Sequence, residues 1–470
     1  MSETPQDPAA DPEREALTAR LTQAEAAAAR KHFNEAVGVC RDILEAKPDC
    51  AAAMAVLGAI EAHRGRLGEA ARLLERAVAL DPTQAAWFGN LSGIYRILYR
   101  LDDALAVARE AVRLAPSLPR NHVNLAKVHV DRGERDEAVA SFLAALMRDT
   151  DNAEGHLGIG QILLAEGNFR PGWVEYAWRN KLEQARGMLP RMVTPEWNGM
   201  ALPKDRVLLV GDQGYGDSLQ FARYIPQVAK LVGEVVVGCS PELAPLLRPI
   251  PGVASVHSRW DDIPRHVAHA LFSSLPGILG TEFSTIPRQG AYIHPDPAAV
   301  AAWQARLLPR PTPSHKRVGL VWAGRPTHPN DSRRSLRLEM LAPLTSVPDV
   351  QWVSLQKPLP ARDAEAFAAL GLTDHAPALA DFGATAALIA TLDLVISIDS
   401  AVAHLAGAMG KPVWVITPIP ADWRWLHDRA DSPWYPTLRL FRQPRPGAWA
   451  PVLDTVRAAL LAFARVPVPA

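Results

Sequence analysis

The chain runs to 470 residues, too many for one hydrophobic core and enough for about three domains of ordinary size. Fifty basic and fifty acidic side chains cancel to a formal net charge of zero, which argues against DNA or RNA as the main partner and confines any anion site to a local cluster. Hydrophobic residues at 48% and charged residues at 21% describe a globular protein, not a disordered or fibrous one.

Three cysteines, Cys40, Cys50 and Cys239, show neither a pairing pattern nor metal-ligand spacing, so neither a disulfide framework nor a metal site is expected. The first thirty residues are acidic and then Ala-rich, without the basic start and apolar run of a secretory signal. The most apolar later stretch, residues 394–417, is interrupted by Asp399, His404 and Lys411, short of the roughly 18 uncharged residues a membrane helix needs. A cytoplasmic protein with no membrane span is the expectation.

Residues 1–16 read as a disordered start, and residues 17–185 as helical repeats. Pro48, Pro82 and Pro116 recur every 34 residues, and so do Ala36, Ala70, Ala104 and Ala138, each after a short polar turn. Seven positions beyond these alanines lie Ile43, Ala77, Ala111 and Ala145, and Leu57-Gly58, Leu91-Ser92 and Leu125-Ala126 form a further column. Small residues at these steps let two antiparallel helices approach closely and Pro ends the second, which is the pattern of a tetratricopeptide (TPR) array. A fifth, divergent hairpin carries Gly172 in the alanine column, with Trp173, Tyr176 and Trp178 around it, and is expected to pack against the following domain. The array suits a groove for a client protein; a rigid spacer or dimerisation surface is the alternative.

From about residue 186 the pattern changes to short β-branched runs separated by Gly and amphipathic segments, the mark of an open parallel sheet over 186–305. Residues 207–210 read as a buried strand, followed by Gly211-Asp212-Gln213-Gly214-Tyr215-Gly216-Asp217 and a helical run over 218–231. A Gly-rich strand-to-helix turn brings backbone N–H groups close to a ligand, at the end of the sheet where ligands bind. A tight turn with Asp217 as helix N-cap is the structural alternative. The third Gly of the dinucleotide fingerprint is missing, which disfavours NAD.

The Pro-rich stretch within 306–316 reads as a linker, and 317–470 as a second α/β unit. Its strands end in Trp322-Ala323-Gly324, Ser354-Leu355-Gln356-Lys357 and Asp399-Ser400, and a small-residue helix follows Ser400. The open N–H groups and dipole of such a helix favour a phosphate. A final amphipathic helix over 452–464 is expected to pack back across both lobes.

The segment Asp399-Ser400-Ala401-Val402-Ala403-His404-Leu405-Ala406-Gly407-Ala408-Met409-Gly410-Lys411-Pro412 resembles the nucleotide-sugar motif of the heptosyltransferases, glycosyltransferase family nine. Gly216-Asp217 is similar to the Gly-Asp of that family's N-terminal half. The resemblance implies a GT-B fold: two Rossmann-like domains facing each other after the TPR solenoid, an α plus α/β chain overall. It also implies transfer in the cleft without a metal, with a nucleotide-sugar as co-substrate and no bound cofactor. The whole arrangement resembles bacterial TPR-fused transferases, flagellin glycosyltransferases included, which implies a protein acceptor held by the array.

On that resemblance Asp217 is the candidate base. Gly214, Gly216, Gly324, Arg325, Arg334, Gln356, Lys357, Asp399, Ser400 and His404 are candidate donor contacts, with Arg333 and Arg424 behind them. Gln356 and the Trp322-Ala323-Gly324 backbone are placed to read the base or ribose. The competing class is a non-catalytic TPR scaffold carrying a relic transferase domain.

Overall fold

The computed structural model describes residues 12–183, 192–288, 290–328 and 330–466. They form two compact units, one up to Gly155 and one from His156.

The first unit is a series of antiparallel helix pairs: α1 (Pro12–Ala29) with α2 (Phe33–Ala46), α3 (Ala51–His63) with α4 (Leu67–Leu80), α5 (Ala85–Ile97) with α6 (Leu101–Leu114), and α7 (Pro119–Arg132) with α8 (Arg135–Leu146). Residues 12–16 are thus helical, not part of a disordered start, because Leu17 and Leu21 pack α1 onto the core around Ala36 and Cys40. Ala36, Ala70, Ala104 and Ala138 have no exposed surface, and neither do Ala77, Ala111 and Ala145. Gly58 shows why the columns stay small: a Cβ there would lie 2.9 Å from Leu74 Cγ.

A further 34-residue column exists in backbone conformation alone. Lys31, Gly65, Tyr99, Gly133 and Gly167 all have left-handed φ, between 59° and 82°. Each follows a first helix, and the next residue's N–H returns to the carbonyl five positions earlier: His32 to Ala27, Arg66 to Glu61, Arg100 to Tyr95, Glu134 to His129 and Asn168 to Leu163, each at 2.9 Å. This helix-ending motif sets the angle at which the second helix leaves. Glycine adopts it freely, whereas a side chain costs roughly 1 kcal/mol.

The boundary falls inside α9 (Ala153–Ala165), which pairs with α10 (Phe169–Tyr176). Buried Phe169, Trp173 and Tyr176 of this hairpin pack into the α/β unit as expected: Phe169 lies 5.7 Å from the Trp434 ring, and Trp173 lies 5.4 Å from that of Trp423.

Two all-parallel sheets follow. The first has β1 (Leu202–Val210), β2 (Val232–Gly238), β3 (Val253–His257) and β4 (Ala268–Leu271) in the order β3-β2-β1-β4. The second has β5 (Lys316–Val321), β6 (Val350–Ser354), β7 (Leu394–Ile398), β8 (Val413–Thr417) and β9 (Leu438–Arg442) in the order β6-β5-β7-β8-β9. Every residue of β5, β7 and β8 is buried, as covered parallel strands require.

The helical run after β1 is not continuous. It begins as α11 (Tyr215–Phe221), tightens to a 3-10 turn over Ala222–Tyr224 and resumes over Ile225–Val228, because Pro226 lacks the N–H that an uninterrupted helix would use. The last helix, α12 (Ala450–Ala464), sets Val452, Leu453, Val456 and Leu460 into its own lobe, against β9 and the turn at Ala342–Thr345. It does not make the expected crossing its main contact, since its apolar stripe is filled by the second sheet.

The lobes meet at a buried cation. Arg223 is 1% exposed, and donates to Gln220 O at 2.8 Å, Trp434 O at 2.7 Å and Tyr292 Oη at 3.1 Å. The rings of Tyr292 and Tyr435 each lie 4.9 Å from its guanidinium.

Relieving the left-handed strain in the repeats is measurable. Lys31→Gly is expected to stabilise the protein by about 1 kcal/mol, and Gly133→Ala to destabilise it by about as much, in urea unfolding. Equal and opposite shifts test the backbone column directly.

Candidate active site

The carboxyl ends of β1 and of β5, β7 and β8 carry loops that meet across a cleft. On the first lobe, Gln213 adopts φ 58° and Gly214 caps α11. Asp217 occupies the third position of that helix and not its N-cap, with Oδ2 accepting from Gly214 N–H at 2.9 Å. The turn is held from below: Asp212 Oδ1 accepts from Ser273 N–H at 3.0 Å, and Arg179 donates to Ser273 Oγ at 2.6 Å. Burial raises the Asp212 carboxyl above its ordinary value, and Arg179 and Ser273 offset part of that.

On the second lobe, Asp399 and Ser400 end β7 and open α13 (Ala401–Ala408). His404 lies one turn in, with Nδ1 2.9 Å from Tyr435 Oη, Nε2 4.0 Å from Asp399 Oδ1, and its ring 5.1 Å from that of Trp425. Gly216 faces this histidine so closely that a Cβ would meet His404 Cδ2 at 2.8 Å. The two halves of the sequence motif therefore touch.

A short strip after β8 completes the wall. Arg424 donates through Nη2 to Asp217 Oδ1, and through Nη1 to Asp422 Oδ1 at 2.9 Å. Its guanidinium lies over Trp423, 4.4 Å from the ring centre. Arg334 donates to the Asp399 carbonyl at 2.9 Å.

Packing decides the charges here. Burial, with Asp422 second, pushes Asp399 up to about 6. Burial also acts to raise Asp422, but Arg424 outweighs it and holds that carboxyl low. His404 is pushed down to about 3, by burial first and then by Arg424, so its ring is neutral. Burial opposes the charge on Arg424 as well, and Asp217 and Asp422 more than restore it. His328 is lowered by burial and then by Arg334, with Asp331, Asp422 and Asp217 acting the other way.

The structure sorts the sequence candidates. Asp217, Gly216, Asp399, Ser400, His404 and Arg334 converge at the cleft, with Ser400 Oγ 2.9 Å from Ser397 Oγ. Gly214 spends its N–H on Asp217. Gly324 leaves room for Arg334, whose Nη2 would lie 2.8 Å from a Cβ at that position. Arg325 is exposed, and Lys357 donates to the Leu379 carbonyl.

Gln356 is a correction. Its Oε1 accepts from Trp322 N at 3.2 Å and Ala323 N at 3.0 Å, and its Nε2 donates to Ala323 O at 3.0 Å and Pro358 O at 3.1 Å. Both ends of the amide are committed to backbone, so the side chain clasps two loops and cannot read a base or ribose. Asp422, His328 and Tyr435 are cleft residues that the sequence reading missed. Asp422 and Tyr435 lie in a Trp-rich stretch that looks in sequence like packing between the lobes, and nothing near His328 in the sequence marks it. A cavity of about 660 Å³ beside Lys204, Arg206, Gly233 and Arg265 lies at the amino ends of β1 and β2, away from every candidate.

Fold and site define a TPR protein joined to a glycosyltransferase module of the family-nine type. A tetratricopeptide repeat family model matches residues 21–85, 68–119 and 123–169, and the glycosyltransferase family 9 (heptosyltransferase) model matches 375–416. The chain belongs to the family of Protein FlbA of Caulobacter vibrioides, with 30% identity over 434 residues covering 85% of this chain and 71% of FlbA. Shorter matches include DnaJ homolog subfamily C member 7 of Homo sapiens, at 34% identity over 86 residues, 18% of this chain and 17% of that protein. Among solved structures, MamA aligns at 17% identity and a TM-score of 0.31, over 35% of this chain and 97% of MamA.

The charge pattern predicts opposed pH effects. The unfolded His404 binds its proton near 6.5 and the folded one near 3, so its contribution to stability is lost as pH falls below 6.5. Asp399 has its folded value raised, so it works the other way, costing stability as pH rises from about 4 to 6. His404→Asn should remove the first effect, and its stability relative to the native chain should grow from pH 7 to pH 4, by at most about 1.4 kcal/mol per pH unit. Urea unfolding at pH 7, 6, 5 and 4 reads it; parallel curves would contradict the assignment.

Proposed function

We propose that the protein transfers a sugar from a nucleotide-sugar to a hydroxyl of a protein client held by the TPR array, as an inverting, metal-independent cytoplasmic enzyme. The observation that carries the reading is that the Gly216-Asp217 turn of one lobe meets His404 and Arg424 of the other, at the carboxyl ends of both sheets. An inverting transfer needs a base on one side of the sugar and positive charge on the other.

In this reading Asp217 takes the proton of the acceptor hydroxyl as its oxygen attacks the anomeric carbon, and the bond from that carbon to the nucleotide phosphate breaks. The departing phosphate is received by the α13 N–H groups with Ser400, by Arg334, and by Arg325 and Lys357 from the rim. The cationic side chains supply the charge compensation that a metal provides in other transferases. Neutral His404 positions α13 through Tyr435 and Asp399 and places no second cation beside Arg424. The client is a protein of flagellin type on the family resemblance, presented as an extended segment or helix to the solenoid groove.

Calorimetric titration of the full chain with UDP-, GDP-, ADP- and CMP-sugars tests the donor, and saturable binding of one is expected. Asp217→Asn should bind that sugar nucleotide at least as well as the native chain and lose transfer by about 10²–10⁴-fold. Undiminished turnover by Asp217→Asn would remove Asp217 from the mechanism, and silence across the panel would favour the scaffold.

A further inference from the structure

The contact between Arg424 and Asp217 conflicts with what the proposed reaction asks of Asp217. Both carboxylate oxygens are engaged, Oδ1 by Arg424 Nη2 and Oδ2 by the Gly214 N–H at 2.9 Å. A carboxylate that takes a proton forfeits its ion pair, and Arg424 would then keep Asp422 alone as counter-charge, with its Nη2 edge unpaired in a buried site, which is costly. The Arg424 side chain is only 9% exposed, with Trp423 4.4 Å away on one side and Phe221 at 5.8 Å, so water is a poor substitute partner. Asp217 therefore works best as a base when another anion takes its place on the Nη2 edge of Arg424.

The geometry says what kind of anion. Arg424 is tethered at one end, because Asp422 Oδ1 accepts from both its backbone N–H at 3.0 Å and its Nη1 at 2.9 Å. Only the Nη2 edge is shared with the opposite lobe. A guanidinium edge that has bound one carboxylate oxygen matches a phosphate oxygen equally well. Arg334 and the start of α13 bring further donors to the same wall, so a phosphate entering there arrives beside Nη2.

We infer that Arg424 exchanges Asp217 for a phosphate of the nucleotide donor, so that donor binding itself uncovers the base. This rests on the nucleotide-sugar reading above. Before the donor enters, the ion pair keeps Asp217 from activating a hydroxyl. Once the phosphate has taken Nη2, Asp217 is free to accept the acceptor's proton. The acceptor oxygen then bonds to the anomeric carbon, the carbon–oxygen bond to phosphate breaks with its electron pair staying on the phosphate, and Arg424 already faces the charge that develops. Departure of the nucleotide returns Arg424 to Asp217, which imposes an order: donor first, acceptor second.

Titration of the full chain with UDP, GDP, ADP and CMP tests the exchange. Asp217→Asn keeps the shape of the side chain but removes the charge that holds Arg424, so the nucleotide that binds the native chain should bind the variant about tenfold tighter or more. The gain should vanish when Arg424→Gln is already present. Unchanged affinity in Asp217→Asn, or the same gain with and without Arg424, would overturn the exchange while leaving the donor reading intact. Failure of all four nucleotides to bind either protein would remove both.

A crystal structure of the native chain with the bound nucleotide gives a test that needs no variant. The exchange expects Nη2 of Arg424 on a phosphate oxygen and more than about 4 Å from Asp217, beyond ion-pair reach. An intact pair beside bound nucleotide would end it.

Discussion

A guanidinium sealed between two lobes leaves the cleft little freedom at its floor. Arg223 can stay charged in that position because carbonyl oxygens and a tyrosine hydroxyl surround it, and all of these but Gln220 O come from distant parts of the chain. Trp434 O lies 211 residues further on, so closing the helical run after β1 and seating the Trp434-Tyr435 segment are one event. The consequences reach the site from both directions. Arg223 is six residues beyond Asp217 on the same run, while Tyr435 extends its hydroxyl to His404, which sits against Asp399 and Gly216. The Gly216-Asp217 turn and the Asp399–His404 segment are held in register by a group outside the candidate site.

Much of the molecule was legible because its determinants are local or periodic. The 34-residue columns follow from the need for small residues wherever two helices cross, and that need repeats with the helices. The buried strands β5, β7 and β8 announce themselves as unbroken apolar runs. Asp217 and the Asp399–His404 segment could be singled out as candidates because a Gly-rich strand-to-helix turn is a matter of neighbouring residues. The left-handed column escaped notice for the opposite reason. Lys31 and Tyr99 adopt the conformation without being Gly, because the second helix leaves no other path, so the repeat is kept in φ and lost in letters.

What the sequence hid in the site is long-range. Arg424 and Asp217 are 207 residues apart, and nothing within either neighbourhood names the other. Gln356 was misassigned because a glutamine at the end of a parallel strand has the same local appearance whether it faces a ligand or a backbone. Only the converging carbonyls and N–H groups of Trp322, Ala323 and Pro358 decide it. Asp422 and Tyr435 were concealed by composition, since a stretch rich in Trp reads as packing and here does pack, around polar groups that matter.

The fifth hairpin shows why repeats and transferase are not merely strung together. Tyr176 Oη lies 3.3 Å from Gln213 Oε1, on the loop that presents Asp217, and Arg179 donates to Ser274 and to Ser273, the serine that anchors Asp212 beneath that loop. Trp173 and Tyr176 also press edge-on against Trp423, the ring on which Arg424 lies. One helical hairpin thus reaches both partners of the Asp217–Arg424 pair, Asp217 through Gln213 and its neighbour Gly214, and Arg424 through Trp423. Its own packing is close: a Cβ on Gly160 would strike the Tyr176 backbone nitrogen at 2.6 Å, so α9 and α10 cannot slide without disturbing Tyr176. A shift of that hairpin by even a fraction of an ångström therefore has to be absorbed at the Gln213 turn or at Trp423, because close-packed interiors pass strain on. The hairpin that ends the repeats is in this sense the second support of the candidate site, and the α/β lobes alone do not contain everything that positions Asp217.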